Sequence, residues 1–328
     1  TIFERDSMFA IKPLAALLAG LTLSHAALAA APFDQTPAPG IYRMMLGQFQ
    51  VTALSDGTVT IPLDTLLTGI KPATLATSLR QAHLQPMAET SINAFLINTG
   101  KQLVLVDTGA GDLFGLPMGA QAGRLQRSLR NAGYAPEQID AVLLTHIHAD
   151  HSGGLSHNGQ RLFPNAQVYV DRHDSDFWLN RANQAGAAEG QRHGFDEAQA
   201  MLAPYVAAGK LMPFQGGAEI VPGIRAVAAH GHTPGHSYYA VESGGQKLLL
   251  LGDMLHAGAV QFPHPGTTIR FDVDAAAAKA QRASELADAA KNGYWVGAAH
   301  LSFPGIGHIA RDDKGNGYRW LPANYSAW

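Results

Sequence analysis

Short apolar runs, separated by turns rich in glycine and aspartate, alternate with helix-like segments along the first half of the chain. Such bounded runs are typical of β-strands, whereas apolar residues three or four positions apart indicate an amphipathic helix. Leu125 and Leu129 have the helical spacing, and Gly133 suits the end of that helix. The pattern predicts strands over residues 49–61, 94–100, 102–109 and 139–145, and a helix over residues 122–134.

The second half repeats this order of elements with a different sequence. Gly244 and Gly245 are a two-residue turn signal inside a predicted hairpin over residues 237–253. The segment 294–300 is predicted to be the last strand and to end on His300. Other strands are predicted over residues 166–170 and 223–229, and helices over residues 171–180, 195–209 and 274–293.

The strands are grouped within each half, with helices around them. This grouping indicates a mixed α/β (α+β) class, in which two mixed sheets pack face to face and helices cover their outer faces. No linker-like or low-complexity segment divides the halves. A single domain is therefore predicted from residue 33 to residue 328.

Residues 1–30 have a different character from the rest of the chain. After Met8, Lys12 supplies a positive charge, an apolar stretch runs from Leu14 to Leu23, and small residues follow. This is the pattern of a secretory signal, with cleavage expected near residues 29–31, and residues 1–7 precede it. The apolar stretch is shorter than the ~20 residues that span a bilayer. We expect export to the periplasm or medium of a bacterium, with no membrane attachment after cleavage.

Composition narrows the chemistry. The chain has 328 residues, of which 46% are hydrophobic and 15% charged, so it can bury a large core. The formal net charge is −3, and the sequence has no long basic run that would attract nucleic acid. A small neutral substrate is the simpler expectation. The chain contains no cysteine, which excludes disulfides, thiolate chemistry and cysteine metal ligands.

A dense cluster of metal-binding residue types follows the predicted strand at 139–145. His146, His148, Asp150 and His151 occupy four of six consecutive positions. If the segment is extended, the side chains of His146, His148 and Asp150 converge on one side, and His151 turns to a neighbouring position. Two adjacent cations could then be bound.

Three more polar residues lie at or just beyond the ends of apolar strands: His232, Asp253 and His300. Strand ends at one edge of a sheet are where such folds place their sites. Imidazole and carboxylate ligands suit zinc and similar ions, and catalytic sites leave one position open for water. The sequence contains no G-x-S-x-G motif and no P-loop, so serine hydrolases and P-loop nucleotide-binding proteins lack support.

The motif H-x-H-x-D-H at 146–151, the segment GHTPGH at 231–236, Asp253 and His300 together resemble the metallo-β-lactamase superfamily. The resemblance implies an αββα sandwich with two divalent ions at the edge of the sheets, most often zinc, with manganese, cobalt or iron as alternatives. It implies that His146, His148 and His232 bind one ion, that Asp150, His151 and His300 bind the other, and that Asp253 bridges them.

Two residues beside these ligands have assignments that stay open. In the family pattern Asp107 orients a ligand histidine, although a turn aspartate at a strand end is the alternative. Ser302 lies beside His300 without an evident base, so it is interpreted as structural or as supporting the ligand.

Longer segments, including LVDTGAGDLFG at 105–115 and HLSFPGIGHI at 300–309, resemble the methyl parathion hydrolase branch of this superfamily. The resemblance implies an aromatic pocket formed by Phe114, Trp178 and Phe195, which would otherwise be interpreted as core aromatics. His256 stands where the organophosphate hydrolases of this branch have leucine. Lactone-hydrolysing relatives resemble this chain at His256, and also at Ile269 and Phe271. The alternative for His256 is a histidine merely hydrogen-bonded in the pocket wall.

The resemblance therefore implies a hydrolase that attacks aryl esters or lactones such as dihydrocoumarin with a metal-bridging hydroxide. Asp253 and His256 are the candidate catalytic residues, and a secondary activity on phosphotriesters is expected. A dedicated organophosphate hydrolase is the nearest alternative. An iron-dependent oxidoreductase and a non-catalytic binding protein are alternatives from other classes. Apolar segments near residues 33–70 leave a homodimer open.

Overall fold

The computed structural model describes residues 31, 33, 36–115, 118–187, 189, 192–313 and 315–325. The chain divides into two units, Thr1–Ala38 and Pro39–Trp328. In the first unit the described positions, 31, 33 and 36–38, contain no helix or strand. The predicted secretory signal lies outside the described residues, so export and the domain boundary at residue 33 stay predictions.

The first half of the second unit builds one mixed seven-stranded sheet in the order β1-β2-β4-β5-β6-β9-β10. The neighbouring strands β1, β2, β4 and β5 pair antiparallel. The strands β5, β6, β9 and β10 run parallel to one another. The strands of this half are β1 Ile41–Leu46, β2 Phe49–Pro62, β3 Leu67–Thr68, β4 Met87–Asn98, β5 Leu103–Val106, β6 Ala141–Leu143, β7 Ser156–His157, β8 Gln160–Arg161, β9 Gln167–Asp171 and β10 Leu211–Phe214.

The second half builds another seven-stranded sheet in the order β11-β12-β13-β14-β16-β17-β18. The predicted hairpin is formed by β13 and β14, which pair antiparallel around Gly244 and Gly245. The strands of this half are β11 Glu219–Val221, β12 Ile224–Ala228, β13 Ser237–Ser243, β14 Gln246–Leu250, β15 Thr268–Ile269, β16 Trp295–Gly297, β17 Ile306–Arg311 and β18 Tyr318–Pro322.

Helices lie between the strands, and several begin at a side-chain cap. Asp274 accepts hydrogen bonds from the first turn of α9, and Gly293 ends that helix with a left-handed backbone. The helices are α1 Leu63–Leu66, α2 Pro72–Gln81, α3 Leu125–Asn131, α4 Ala149–Ser152, α5 Arg172–Trp178, α6 Arg181–Gly186, α7 Arg192–Ala207, α8 Gly258–Gln261 and α9 Ala275–Asn292.

Apolar side chains from the two sheets meet in one buried cluster. Val51 and Leu143 reach it from the first sheet, and Val241 and Leu248 from the second. Because strand residues alternate between faces, the neighbouring apolar residues of the same strands are free to pack outward. The sheets therefore share a central hydrophobic layer, as the grouping of strands predicts.

The outer face of each sheet is covered by helices. On the first sheet, Leu105 of β5 shares a buried cluster with Leu129 of α3 and Leu202 of α7. On the second sheet, Leu249 of β14 shares a cluster with Leu286 of α9. The layers are therefore helix, sheet, sheet, helix, and the predicted fold class is confirmed.

Several boundaries differ from the prediction. The segment 294–300 is not the last strand, because β17 and β18 follow it. Its strand ends at Gly297, where Ala298 leaves the ladder and donates its N–H to the carbonyl of Gly305. His300 therefore lies on a turn beyond the strand. The pattern also missed α2 and the strands at the sheet edges, which are β1, β10, β11 and β18. Among the described residues, no helix has the length and apolar character that a membrane span requires.

Candidate metal centre

The histidine-rich segment changes its backbone conformation halfway along. It leaves β6 in an extended form, and His148 then becomes the residue at which the short helix α4 begins. Since helical residues do not alternate sides, Asp150 turns away from His146 and joins His151 and His300 in a separate group. The prediction that Asp150 converges with His146 and His148 is therefore wrong.

The first group of donors combines this segment with the turn after β12. His146 Nε2 lies 3.0 Å from His148 Nδ1, and His232 Nε2 lies 3.2 Å from the same atom. Asp253 completes the group, with its Oδ2 atom 3.2 Å from His232 Nε2. The donor atoms of these four residues all lie within 4.8 Å of one another, which is the spacing that one bound cation requires.

The second group combines α4 with the turn after β16. His300 Nε2 lies 3.4 Å from Asp150 Oδ2, and His151 Nε2 lies 3.8 Å from that oxygen. Asp253 Oδ1 lies 2.9 Å from His151 Nε2 and 3.0 Å from His300 Nε2. Asp253 thus presents one carboxylate oxygen to each group.

Two of these atoms test whether the site fits metal ions. Within the described part of the chain, His151 Nε2 and Asp253 Oδ1 are buried and have no hydrogen-bond partner. A buried polar atom without a partner is costly, and a cation between these atoms would satisfy both. Neutral imidazoles and carboxylates are the donor set of zinc and its neighbours. The residues therefore fit two divalent ions that share Asp253.

The electrostatics differ among the histidines of the first group. Burial, together with the charge on neighbouring histidines, lowers the pKa of His146 and brings the pKa of His148 to about 3. Burial would raise the pKa of Asp253, but the surrounding histidines outweigh burial and hold this pKa well below its usual value. Neutral imidazoles and an ionised carboxylate are the forms that bind a metal ion. Burial disfavours a charge on His232, but hydrogen bonds to Asp253 and Asp272 outweigh burial and raise the pKa of His232 to about 9, so a bound metal ion would have to displace the proton on Nε2.

Asp107 orients one of the ligands, where the sequence predicted such a role. Its Oδ2 atom lies 2.8 Å from His151 Nδ1, and its two oxygens accept hydrogen bonds from the backbone N–H and hydroxyl of Thr145. A proton held on Nδ1 leaves Nε2 of His151 free to face the centre. Asp107 also follows the end of a strand with a left-handed backbone. It is therefore both an aspartate that orients a ligand and an aspartate of a strand-end turn.

Sequence reasoning missed the residue that orients His232. Asp272 Oδ1 lies 2.9 Å from His232 Nδ1, and Asp272 Oδ2 accepts a hydrogen bond from the backbone N–H of Ile269. Asp272 follows no predicted strand and belongs to no quoted motif, so the sequence carried no signal for it. The side chain of Ile269, predicted to line the pocket, is fully buried in an apolar cluster.

A second missed residue holds the bridging aspartate. His236 Nε2 accepts a hydrogen bond from the backbone N–H of Asp253 at 3.0 Å, and His236 Nδ1 donates to the carbonyl of Ala229. The segment GHTPGH contained this histidine, so a signal was present, although no role was assigned to it.

The turn after β16 places His300 through the backbone. His300 Nδ1 donates to the carbonyl of Ser91 in β4, at 2.8 Å. Ser302 is exposed, and its carbonyl accepts a hydrogen bond from Gly305 within the turn. This position agrees with the structural interpretation of Ser302.

An aromatic wall stands beside the first group. The ring of Trp178 in α5 lies 5.4 Å from that of His148, at a steep angle. Phe195 is buried behind Trp178, with ring centroids 4.8 Å apart. Phe114 is half-buried and packs against the apolar cluster that contains Ala257 and Ile269. The structure therefore brings Trp178 to the centre and places Phe195 as its support.

His256 is buried against the bridging carboxylate. Its Nε2 atom donates to Asp253 Oδ2 at 3.0 Å, and its ring stacks on His300 with centroids 5.1 Å apart. Phe271, which is 43% exposed, lies 6.0 Å from the same ring on the outer side. Asp253, His256 and His300 also form a possible ligand group of their own. His256 is therefore part of the wall nearest to the bridging carboxylate.

Comparisons with known proteins agree with this geometry. The family model described as Metallo-beta-lactamase superfamily matches residues 87–295. The crystal structure of hydrolase AbOPH, described as in the beta lactamase superfamily, is 35% identical. The alignment covers 89% of this chain and 100% of that chain, with a TM-score of 0.83.

Lactonases are also among the similar proteins. The structure of AidC is described as that of a dizinc quorum-quenching lactonase, and its sequence is 26% identical to this chain. The alignment covers 88% of this chain and 99% of the AidC chain, with a TM-score of 0.79. An N-acyl homoserine lactonase of Bacillus thuringiensis is 26% identical over 174 residues, or 48% of this chain. The chain spans 61% of the length of that lactonase and 57% of the length of one from a Bacillus species.

Proposed function

Since this chain belongs to the metallo-β-lactamase superfamily, we propose that it is a dinuclear metal-dependent hydrolase that opens lactones and cleaves aryl esters. One observation supports this proposal above all others. The two carboxylate oxygens of Asp253 face two separate groups of buried donors, 2.9 Å from His151 on one side and 3.2 Å from His232 on the other. Such a pair of neighbouring sites is typical of two-metal hydrolases.

Two divalent ions bound there would lower the pKa of a water molecule and polarise a substrate carbonyl. The residues of the chain hold this arrangement in place. Asp107 and Asp272 each fix the ring of a ligand histidine, and His236 fixes the backbone of Asp253. A site whose ligands are held before substrate arrives needs little reorganisation during the reaction.

His256 acts as a positioning residue in this proposal. Its Nε2–H group donates to Asp253, and burial lowers the pKa of His256, which favours the neutral ring. Within the described residues, Nδ1 of His256 is buried without a partner. A neutral ring of this tautomer can accept a hydrogen bond at Nδ1 but has no proton there for a leaving group. His256 thus steadies the carboxylate and narrows the space above it.

The side chains around the centre also favour a flat substrate. Trp178 lies beside His148 of the first group, and His256 stacks on His300 of the second group. The His256 ring is held by its hydrogen bond to Asp253, and this fixed imidazole leaves less room for a tetrahedral phosphoryl group than for a planar carbonyl. The lactonases among the similar proteins support the same substrate class. We assign phosphotriesters to a secondary activity, and we place the chain in the methyl parathion hydrolase branch as part of the same proposal.

A substrate panel tests this ordering. Metal-loaded protein is assayed with dihydrocoumarin, an N-acyl homoserine lactone, phenyl acetate and methyl paraoxon. A lactone should have a kcat/KM at least about tenfold above that of methyl paraoxon. A tenfold excess in the other direction would instead identify a dedicated organophosphate hydrolase. The Asp253→Ala variant, which lacks the shared ligand, should lose about 10³-fold or more on every substrate.

The His256→Leu variant tests whether His256 selects between carbonyl and phosphoryl substrates. Removal of the imidazole should shift the kcat/KM ratio towards methyl paraoxon by about tenfold, which is the size expected from a change in one pocket contact. His308→Leu is the matched control, because His308 is a half-buried histidine of β17 that bonds only to the Tyr294 carbonyl in the described structure. An unchanged ratio in His256→Leu would remove His256 from substrate selection.

A further inference from the structure

Another group of histidine and aspartate side chains lies outside the centre described above. Asp171 is the last residue of β9 in the first sheet, and His173 is in the first turn of α5. His230 follows β12 of the second sheet. The three residues therefore come from three elements that meet at the same edge of the sandwich.

Their donor atoms converge. His173 Nδ1 lies 2.8 Å from Asp171 Oδ1, and His230 Nε2 lies 3.4 Å from Asp171 Oδ2. The two rings are 4.8 Å apart. All three donor atoms lie within 4.8 Å of one another, so a cation about 2.0–2.2 Å from each ligand fits between them.

Exposure differs across the group in a way that suits an ion. The side chain of Asp171 is fully buried, whereas those of His173 and His230 are 57% and 36% exposed. A buried carboxylate is costly unless its charge is compensated. Here the two imidazoles stand between that carboxylate and solvent, and the open side leaves room for water ligands.

We propose that Asp171, His173 and His230 form a third metal site, distinct from the dinuclear centre, that binds one divalent ion of the zinc or nickel type. Two imidazoles and one carboxylate are ligands that these ions share, and water completes the coordination. The site differs from the main centre in that its histidines are partly exposed, so its ion exchanges more readily.

Such an ion would connect the helix that carries Trp178 to the main centre. It would link β9 to the turn that carries His232 two residues after His230, and it would fix the start of α5, which carries Trp178. Asp174 of α5 already accepts hydrogen bonds from the backbone of Ile147 and Gly235, which belong to the two ligand-bearing loops. The third ion would strengthen a junction that the fold already contains.

A group held by hydrogen bonds alone is the competing interpretation, since Asp171 also caps α5 by accepting from the backbone N–H of His173. Equilibrium dialysis of the metal-loaded protein against buffered free Zn²⁺, with metal per chain measured, separates the two. Asp171→Asn removes the charge and keeps a good capping residue. His173→Gln removes one ligand from an exposed position.

The wild-type protein should bind one zinc ion per chain more than Asp171→Asn and His173→Gln, or bind that ion at least tenfold more tightly. His157→Gln is the matched control, because His157 is an exposed histidine paired with a single aspartate, Asp112. It should match the wild type. Equal zinc content and affinity in the wild type and both site variants would overturn the proposal.

The failure of this site and the failure of the main centre give different results. The third ion is measured as a difference between the wild type and the site variants, so it does not depend on the total. Asp253→Ala should lower the total and leave that difference unchanged. The melting temperature gives a second readout. Raising the zinc from two to three equivalents per chain should raise the melting temperature of the wild type and leave that of His173→Gln unchanged. An equal rise in both proteins would also overturn the proposal.

Discussion

Asp253 is the residue on which the two donor groups depend, and its side chain is held from several directions. His236 bonds its backbone, His256 bonds Oδ2, and His151 lies 2.9 Å from Oδ1. Each of these contacts limits the rotation of the carboxylate. The residue therefore keeps one oxygen on each side of the centre before any ligand is present.

The aspartate that orients His151 provides a test at the same scale. In Asp107→Ala, Nδ1 of His151 loses its partner, and the affinity of one of the two ions should fall by about 10–100-fold. Competition with a zinc chelator measures this change. Asp140→Ala is the control, since Asp140 also accepts a backbone hydrogen bond near β5 but lies outside the centre. Equal affinities for both ions in Asp107→Ala and the wild type would contradict the orienting role.

Asp174 should make stability depend on pH. Burial raises its pKa to about 6 in the folded protein, from an ordinary value of 3.8. Between these values the folded state binds more protons than the unfolded state, so this contribution is present below about pH 4 and is lost as the pH rises through 6. Compared with Asp174→Asn, which does not titrate, the wild type should lose about 1–3 kcal/mol of unfolding free energy from pH 4 to pH 7.

Urea unfolding of the metal-free proteins at several pH values measures this difference, because other titrating groups cancel between the two chains. A difference that stays constant from pH 4 to pH 7 would show that Asp174 keeps its ordinary pKa in the fold.

At the scale of elements, β4 organises the turn that carries His300. The side chain of Asn93 donates to the carbonyls of Ala298 and Leu301, and its backbone N–H donates to Ala299. These bonds cross from the first sheet to the second. The turn therefore owes its shape to a strand about two hundred residues earlier in the sequence.

Removal of that side chain should affect both stability and metal binding. Asn93→Ala leaves two buried carbonyls without their donor and should lower the unfolding free energy by about 2–4 kcal/mol. The affinity of the ion held by His300 should also fall. Asn98→Ala is the control, because Asn98 is half-buried at the other end of the same strand and its side chain bonds to Tyr134 and Gly100, away from the turn that carries His300. A cost below about 1 kcal/mol in Asn93→Ala, as expected for the control, would contradict this account.

Local patterns predicted the central strands of both sheets and the helices α3, α5, α7 and α9, because these segments are apolar runs or amphipathic stretches with clear turn residues, as in β5 and β14. They failed where long-range contacts decide the conformation. Residues 294–299 form an apolar run up to His300, but the strand ends at Gly297, and Ala298 bonds across the turn to Gly305. In the same way, Asp272 reaches His232 only through the tertiary fold.

On the scale of the whole molecule, the ligands come from both halves of the chain. His146 to His151 follow β6 of the first sheet, whereas His232, Asp253 and His300 follow strands of the second. Bound ions would therefore cross-link the two sheets at one edge. The sequence predicted this convergence from strand ends, since a sheet edge collects the ends of its strands.

Metal removal should consequently destabilise the whole fold. An ion present at 100 to 1,000 times its dissociation constant contributes about 3–4 kcal/mol, so chelation should lower the melting temperature by about 5–15 °C. Calorimetry with and without a chelator measures the change. The Asp253→Ala variant should respond much less. An unchanged melting temperature in the wild type would mean that the donors do not hold ions that link the sheets.

The most direct test of the central claim is the rate of dihydrocoumarin hydrolysis per chain while metal-free protein is reloaded with zinc. The Asp171→Asn background keeps the further proposed ion out of the count. We predict no hydrolysis without metal, a rise as ions bind, and a constant rate once two ions per chain are present. Full hydrolysis by the metal-free chain, or no hydrolysis with two ions bound, would contradict a dinuclear centre built around Asp253.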